Sequence, residues 1–145
     1  MPYGDGWHPY FSTGTSVDLL QLEIPSNKYL IANNMLIPNG NWRESESHSV
    51  KAPIANHQFN ECYLIENDGI AQTTIYDPVK NIEIICWQKS SENGYNYVQL
   101  YTPDDRMSIA IEPMTCAPDA INNLIGLIHL NPKESHILEY GINIK

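Results

Sequence analysis

The chain of 145 residues is of a length for one domain, and a hydrophobic content of 42% is enough for a packed core. Seventeen Asp and Glu against eight Lys and Arg give a net charge of −9, which repels phosphate backbones and anionic lipid head groups. The basic residues are scattered and form no patch that would override this balance, so neither nucleic acid nor a membrane surface is an expected partner.

Met1 to Gly6 lacks the basic start and apolar stretch of a secretory signal. The longest apolar runs, such as Ile82 to Trp87, are broken by Glu83 and fall far short of the about 20 residues of a membrane helix. A soluble, cytoplasmic protein is expected. Ten prolines and eight glycines interrupt the chain too often for long helices, and nine tyrosines with abundant isoleucine favour strands. The first predicted strand is Ser16 to Ile24, where Val17, Leu19, Leu20, Leu22 and Ile24 mainly alternate until Pro25. A second, Lys28 to Ile37, is ended by the turn signal Pro38-Asn39-Gly40. Asn41 to Asn56, with Glu44-Ser45-Glu46-Ser47-His48, reads as a polar surface loop with a solvated His48. Strands are expected at Cys62 to Glu66, Ala71 to Tyr76, Asn81 to Gln88, Tyr95 to Tyr101 and Met107 to Ile111. The turns between them include Asn67-Asp68-Gly69 and Glu92-Asn93-Gly94, too short for crossover helices, so the pairing is antiparallel. Pro118 to Leu124 is a short helix. Ser135 to Ile144 is a closing strand whose alternation turns Leu138, Tyr140, Ile142 and Ile144 inward.

Three cysteines, Cys62, Cys86 and Cys116, are odd in number, lie in apolar contexts and suit buried free thiols. Neither Cys-x-x-Cys nor His-Glu-x-x-His occurs, and the five histidines show no close ligand spacing, so no metal is expected. Three segments hold polar groups that a strand-rich chain does not need. In Gly4-Asp5-Gly6-Trp7-His8-Pro9-Tyr10-Phe11, Pro9 biases His8 to an extended backbone among aromatic rings. Such an imidazole can act as acid or base, and Trp7 and Tyr10 can stack on a sugar; the alternative is a core histidine satisfied by the backbone. In Ile109-Ala110-Ile111-Glu112-Pro113, Glu112 closes an apolar strand, where burial would raise its pKa and exposure would leave it inert. His57-Gln58-Phe59-Asn60-Glu61-Cys62-Tyr63 brings hydrogen-bonding groups to the start of a strand, and taken alone it reads as a turn with solvated polar groups rather than a site.

Gly6-Trp7-His8-Pro9-Tyr10-Phe11 and Glu112-Pro113-Met114-Thr115-Cys116-Ala117-Pro118-Asp119-Ala120 together resemble the aldose 1-epimerase (galactose mutarotase-like) family. Leu36-Ile37-Pro38-Asn39-Gly40, Tyr101-Thr102-Pro103 and Leu130 to Tyr140 extend the resemblance over essentially the whole chain. It implies an all-β, antiparallel β-supersandwich that holds a hexose and interconverts its anomers by ring opening and closing, with no metal or cofactor. In that reaction Glu112 matches the base at the C1 hydroxyl and His8 the acid at the ring oxygen. Asn60 falls where the family has a sugar-binding aspartate, and Glu61 would replace it only with a shifted register. The family carries a further N-terminal half, with an arginine and a second histidine that polarise the sugar; Arg43 and Arg106 occupy other positions. The resemblance thus implies a single domain over residues 1–145 that is the C-terminal part of the family fold, with weakened catalysis. It also implies a homo-oligomer, most simply a twofold dimer, that covers an exposed sheet face. The competing expectations are a non-catalytic carbohydrate-binding module and an inactive remnant. The few basic residues favour a neutral sugar over a phosphorylated one.

Overall fold

The computed structural model describes residues 1–45, 47–66 and 68–145, so that Glu46 of the expected polar loop and Asn67 of the Asn67-Asp68-Gly69 turn lie outside the described residues. The elements in chain order are β1 (Pro2–Tyr3), β2 (Tyr10–Phe11), β3 (Gln21–Glu23), β4 (Lys28–Ala32), β5 (Pro38–Glu44), β6 (Ala52–Pro53) and β7 (Asn60–Leu64). There follow β8 (Gly69–Asp77), β9 (Ile82–Ser90), β10 (Tyr97–Tyr101), β11 (Ile109–Met114), a single helical turn α1 (Ala120–Asn123), β12 (Ile128–His129) and β13 (Tyr140–Ile144). A six-stranded sheet has the order β2-β11-β10-β7-β4-β5 and a five-stranded sheet the order β13-β9-β8-β3-β6; β1 pairs with β12 as a third, small ribbon. Every strand pairing among the described residues is antiparallel.

The main core lies between the two large sheets. Phe11, Tyr63, Val98, Leu100, Ile109 and Ile111 from the six-stranded sheet meet Leu22, Ala71, Ile75, Ile84 and Cys86 from the five-stranded one. Alternation explains the choice, because Val98 and Leu100 take one face of β10 and leave Tyr97, Gln99 and Tyr101 on the other. Gln88 ties the sheets, its buried amide donating to the carbonyls of Tyr95 at 2.8 Å and Tyr97 at 3.0 Å. On the far face of the six-stranded sheet, Leu30, Cys62, Tyr97 and Ala117 form a second apolar cluster. Leu64, Met114 and Trp42 pack against it. This cluster underlies the polar residues of interest.

Several sequence-based expectations are corrected. Ser16 to Ile24 is not one strand: Val17–Leu19 forms a 3-10 turn capped by the Ser16 hydroxyl, and only Gln21–Glu23 is extended. The turn expected at Pro38-Asn39-Gly40 falls earlier, where Asn33 Oδ1 accepts from the amides of Met35 and Ile37. Strand β5 therefore runs through Asn39 and Gly40 and takes the start of the expected 41–56 loop, while β6 takes a second piece of it. His48 is not solvated but 5% exposed, with Nε2 3.2 Å from the Pro53 carbonyl oxygen and Phe59 edge-on to its ring. Burial pushes its pKa down. The closing strand is confined to Tyr140–Ile144. Tyr140, Ile142 and Ile144 do pair with Gln88, Cys86 and Ile84 of the inner face, yet remain 37%, 38% and 71% exposed because β13 is an edge strand. No helix among the described residues is long and apolar enough to cross a membrane.

Candidate active site

The site is built by register. Strand β11 pairs with β2 through Ala110 and Tyr10 and through Ile109 and Phe11, and further along Gly6 bridges Met114. The pairing runs between these points without a shift, so His8 stands opposite Glu112. On the other side Glu112 pairs with Gln99 of β10, and Gln99 with Cys62 of β7. Directly opposed residues share a face, so His8, Glu112, Gln99 and Cys62 form one row across the sheet. Tyr10, Ala110, Tyr101 and Asn60 form the adjacent row on the same face.

Glu112 is not at a strand end, as its place before Pro113 led us to expect, but inside β11, which continues to Met114. Pro113 is tolerated there, with its carbonyl accepting the Trp7 amide at 3.1 Å. The Glu112 side chain is 10% exposed and the His8 ring 53%, and His8 Nε2 lies 3.2 Å from Glu112 Oε1. Burial pushes the Glu112 pKa above its ordinary value and the nearby His8 pulls it partly back. A carboxyl so placed is a stronger base than a solvated one, and the exposed imidazole beside it is free to turn toward a ligand. Tyr10 stacks on His8 with ring centroids 4.9 Å apart. At the far end of the row Cys62 is buried, its thiol pushed up to about 12 by burial first and then by Cys116 and Glu112, so it remains protonated.

The sequence-derived candidates are distributed as follows. His8, Tyr10 and Glu112 are brought together. Asn60 lies on the same face one row away, where its Oδ1 accepts from Gln99 Nε2 at 3.3 Å. Trp7 is placed elsewhere: its ring packs on Tyr140 of the other large sheet, centroids 4.6 Å apart. Glu61 pairs with Leu100 and so shares the core-side face, opposite to Glu112, while its carboxylate lies 3.8 Å from His57 Nε2. Arg106 is spent on structure, with its guanidinium bonded to Asp18, Gln58 and the carbonyls of His57 and Ala55. Gln99 is the residue that sequence reasoning missed. Its signal was the alternation of β10, which puts an amide between Tyr97 and Tyr101 on the face away from Val98 and Leu100.

A cavity of about 230 Å3 opens beside this row, lined among others by Leu30, Asn60, Cys62, Gln99 and Pro118. A larger one of about 450 Å3, lined by residues 23–27 and by Ile65, Asp68 and Gln72 among others, holds neither His8 nor Glu112.

The comparisons with known proteins agree with this fold. By structure, the chain is similar to a galactose mutarotase-like protein from Clostridium acetobutylicum, with a TM-score of 0.82 and 20% identity, over 100% of this chain and 48% of the other. A structure from Escherichia coli K12 named for aldose 1-epimerase gives a TM-score of 0.76 and 21% identity, over 100% of this chain and 51% of that one. By sequence, the YihR protein of Escherichia coli (strain K12) is 28% identical over 148 residues, covering 97% of this chain and 46% of YihR. The chain thus spans about half the length of the relatives it matches. A family model described as aldose 1-epimerase matches residues 1–143, and this chain belongs to that family.

Proposed function

We propose that this protein acts as a mutarotase-like epimerase, interconverting the anomers of a free hexose. The observation that carries the reading is the pairing of a buried, base-strengthened Glu112 with an exposed His8 at 3.2 Å on one sheet face. Glu112 takes the proton of the C1 hydroxyl while His8 gives a proton to the ring oxygen. The C1 to O5 bond breaks, and the sugar opens to an aldehyde. Rotation about the C1 to C2 bond and reclosure, with the two roles reversed, deliver either anomer. Acid and base together balance the protons, so the proposed reaction needs no metal or cofactor.

In this reading Tyr10 offers a ring to the apolar face of the sugar, and Asn60 and Gln99 read hydroxyls from the neighbouring cavity. Trp7 serves by anchoring the segment that carries His8. Among the described residues no cationic cluster adjoins the row, which favours a neutral hexose over a phosphorylated one. Free thiols at Cys62, Cys86 and Cys116 support a reducing, cytoplasmic location. The chain works as one domain, with a second copy as its protein partner.

Polarimetry of freshly dissolved α-glucose, with and without protein, tests the proposal. A rate above the spontaneous one supports it. A spontaneous rate, together with equal sugar affinity in wild type and Glu112→Ala, establishes a binding module instead.

A further inference from the structure

We infer that strand β13 is the surface through which two copies of this chain pair, antiparallel about a twofold axis at Ile142. Main-chain hydrogen bonds give the first argument. Glu83 and Lys145 exchange both amide-to-carbonyl bonds at 2.9 Å, and the Lys89 amide donates to Glu139 at 3.0 Å. In an antiparallel ladder the residues that face a neighbour alternate, so Glu139, Gly141, Asn143 and Lys145 spend their main-chain groups on β9. Tyr140, Ile142 and Ile144 therefore turn their N–H and C=O groups outward, to an edge that carries no strand among the described residues.

Side chains give the second. Centring two copies on Ile142 opposes Tyr140 to Ile144 and Ile142 to itself, so about six main-chain hydrogen bonds form and the exposed apolar row is covered from both sides. The same register sets Glu139 of one copy against Lys145 of the other. Glu139 already pairs with Lys89, and Lys145 lies 3.5 Å from Glu83. Each end of the joint becomes a line of alternating charge from Lys89 through Glu139 to the second copy's Lys145 and Glu83. An unrelated strand could use the open edge, but a second copy in this register presents the inverse order of charges as a consequence of symmetry. The joint also lies next to the His8 segment, since Tyr140 carries Trp7.

Sedimentation velocity and backbone hydrogen exchange test the inference on the whole chain. Wild type is expected to sediment as a dimer at micromolar concentration, with the Tyr140, Ile142 and Ile144 amides gaining protection as concentration rises. Ile142→Pro removes only an outward N–H and should yield a monomer whose far-ultraviolet circular dichroism is unchanged. A wild-type monomer, or a dimer that persists in folded Ile142→Pro, overturns the inference. If the proline variant fails to fold, the exchange measurement decides: concentration-independent exchange at these amides overturns it and concentration-dependent protection supports it.

Discussion

Tyr95→Phe removes one oxygen atom and tests how the histidine is held in place. The Tyr95 side chain is 1% exposed, and its hydroxyl donates to the Asp5 carboxylate, 90 residues away in sequence. Burial first, and then that carboxylate, pushes the phenol pKa above its ordinary value, so the group remains a donor at all working pH. A hydrogen bond to a charged acceptor contributes about 1.5–3 kcal/mol. Asp5 is only half-buried and water can replace the lost donor, so the lower end, about 1.5 kcal/mol, applies. The segment stays attached, because Asp5 and Thr115 still exchange bonds at 2.9 Å and Trp7 still donates to Pro113. The population in which His8 has left Glu112 should then rise by at most about tenfold, the factor that 1.4 kcal/mol represents. Urea unfolding measures the stability loss, and the linewidths and chemical shifts of the His8 ring resonances in nuclear magnetic resonance spectra report the loosened pair. If Tyr95→Phe unfolds at the wild-type urea concentration with unchanged His8 ring resonances, the clasp does not position the histidine.

Other consequences follow from the same row of residues. Because burial raises the folded-state pKa of Glu112 above 4.5, its carboxyl favours the fold below that pH, and the contribution is lost as pH rises through the raised value. Glu112→Gln should therefore gain stability relative to wild type between acid and neutral pH, read from urea midpoints across that range; a constant difference would show that the carboxyl is not perturbed. Asn60→Asp keeps the acceptor for Gln99 and adds charge toward a sugar hydroxyl, so hexose affinity measured by calorimetry should tighten by up to about tenfold. Gly126→Ala sets a Cβ 2.6 Å from the Tyr97 ring at a φ of +72°. It should cost about 1–2 kcal/mol for the backbone and about 1–3 kcal/mol for displacing the ring, as thermal unfolding would show.

The middle of the chain was legible because its signals are local. Strands β8, β9 and β10 follow from alternation and from turns such as Glu92-Asn93-Gly94, and the expected ranges differ from the observed ones by only a few residues. What escaped depends on partners distant in sequence. Two-residue β2 exists only because β11 pairs with it, and pairing with Val98 and Tyr97 of β10 carries β11 past Pro113 to Met114, so that Glu112 lies inside the strand. His48 carries a polar loop signal, yet the aromatic ring of Phe59 draws it inside. Residue types pointed to His8 and Glu112 as an acid and a base, but their distance is a matter of register across 104 positions of chain, which no local pattern encodes. Register likewise sends Asn60 to the site face and Glu61 to the other, and it revealed Gln99. Trp7, an aromatic beside the histidine, alternates away from it and finds Tyr140.

The central claim is that Glu112 and His8 act as one acid–base pair on a sugar. The most direct measurement is the polarimetric rate of α-glucose mutarotation with wild type, Glu112→Gln and His8→Asn at equal concentration of folded protein. The protein-dependent rate is expected to fall about 10²–10⁴-fold in each variant. A wild-type rate retained in Glu112→Gln would contradict it.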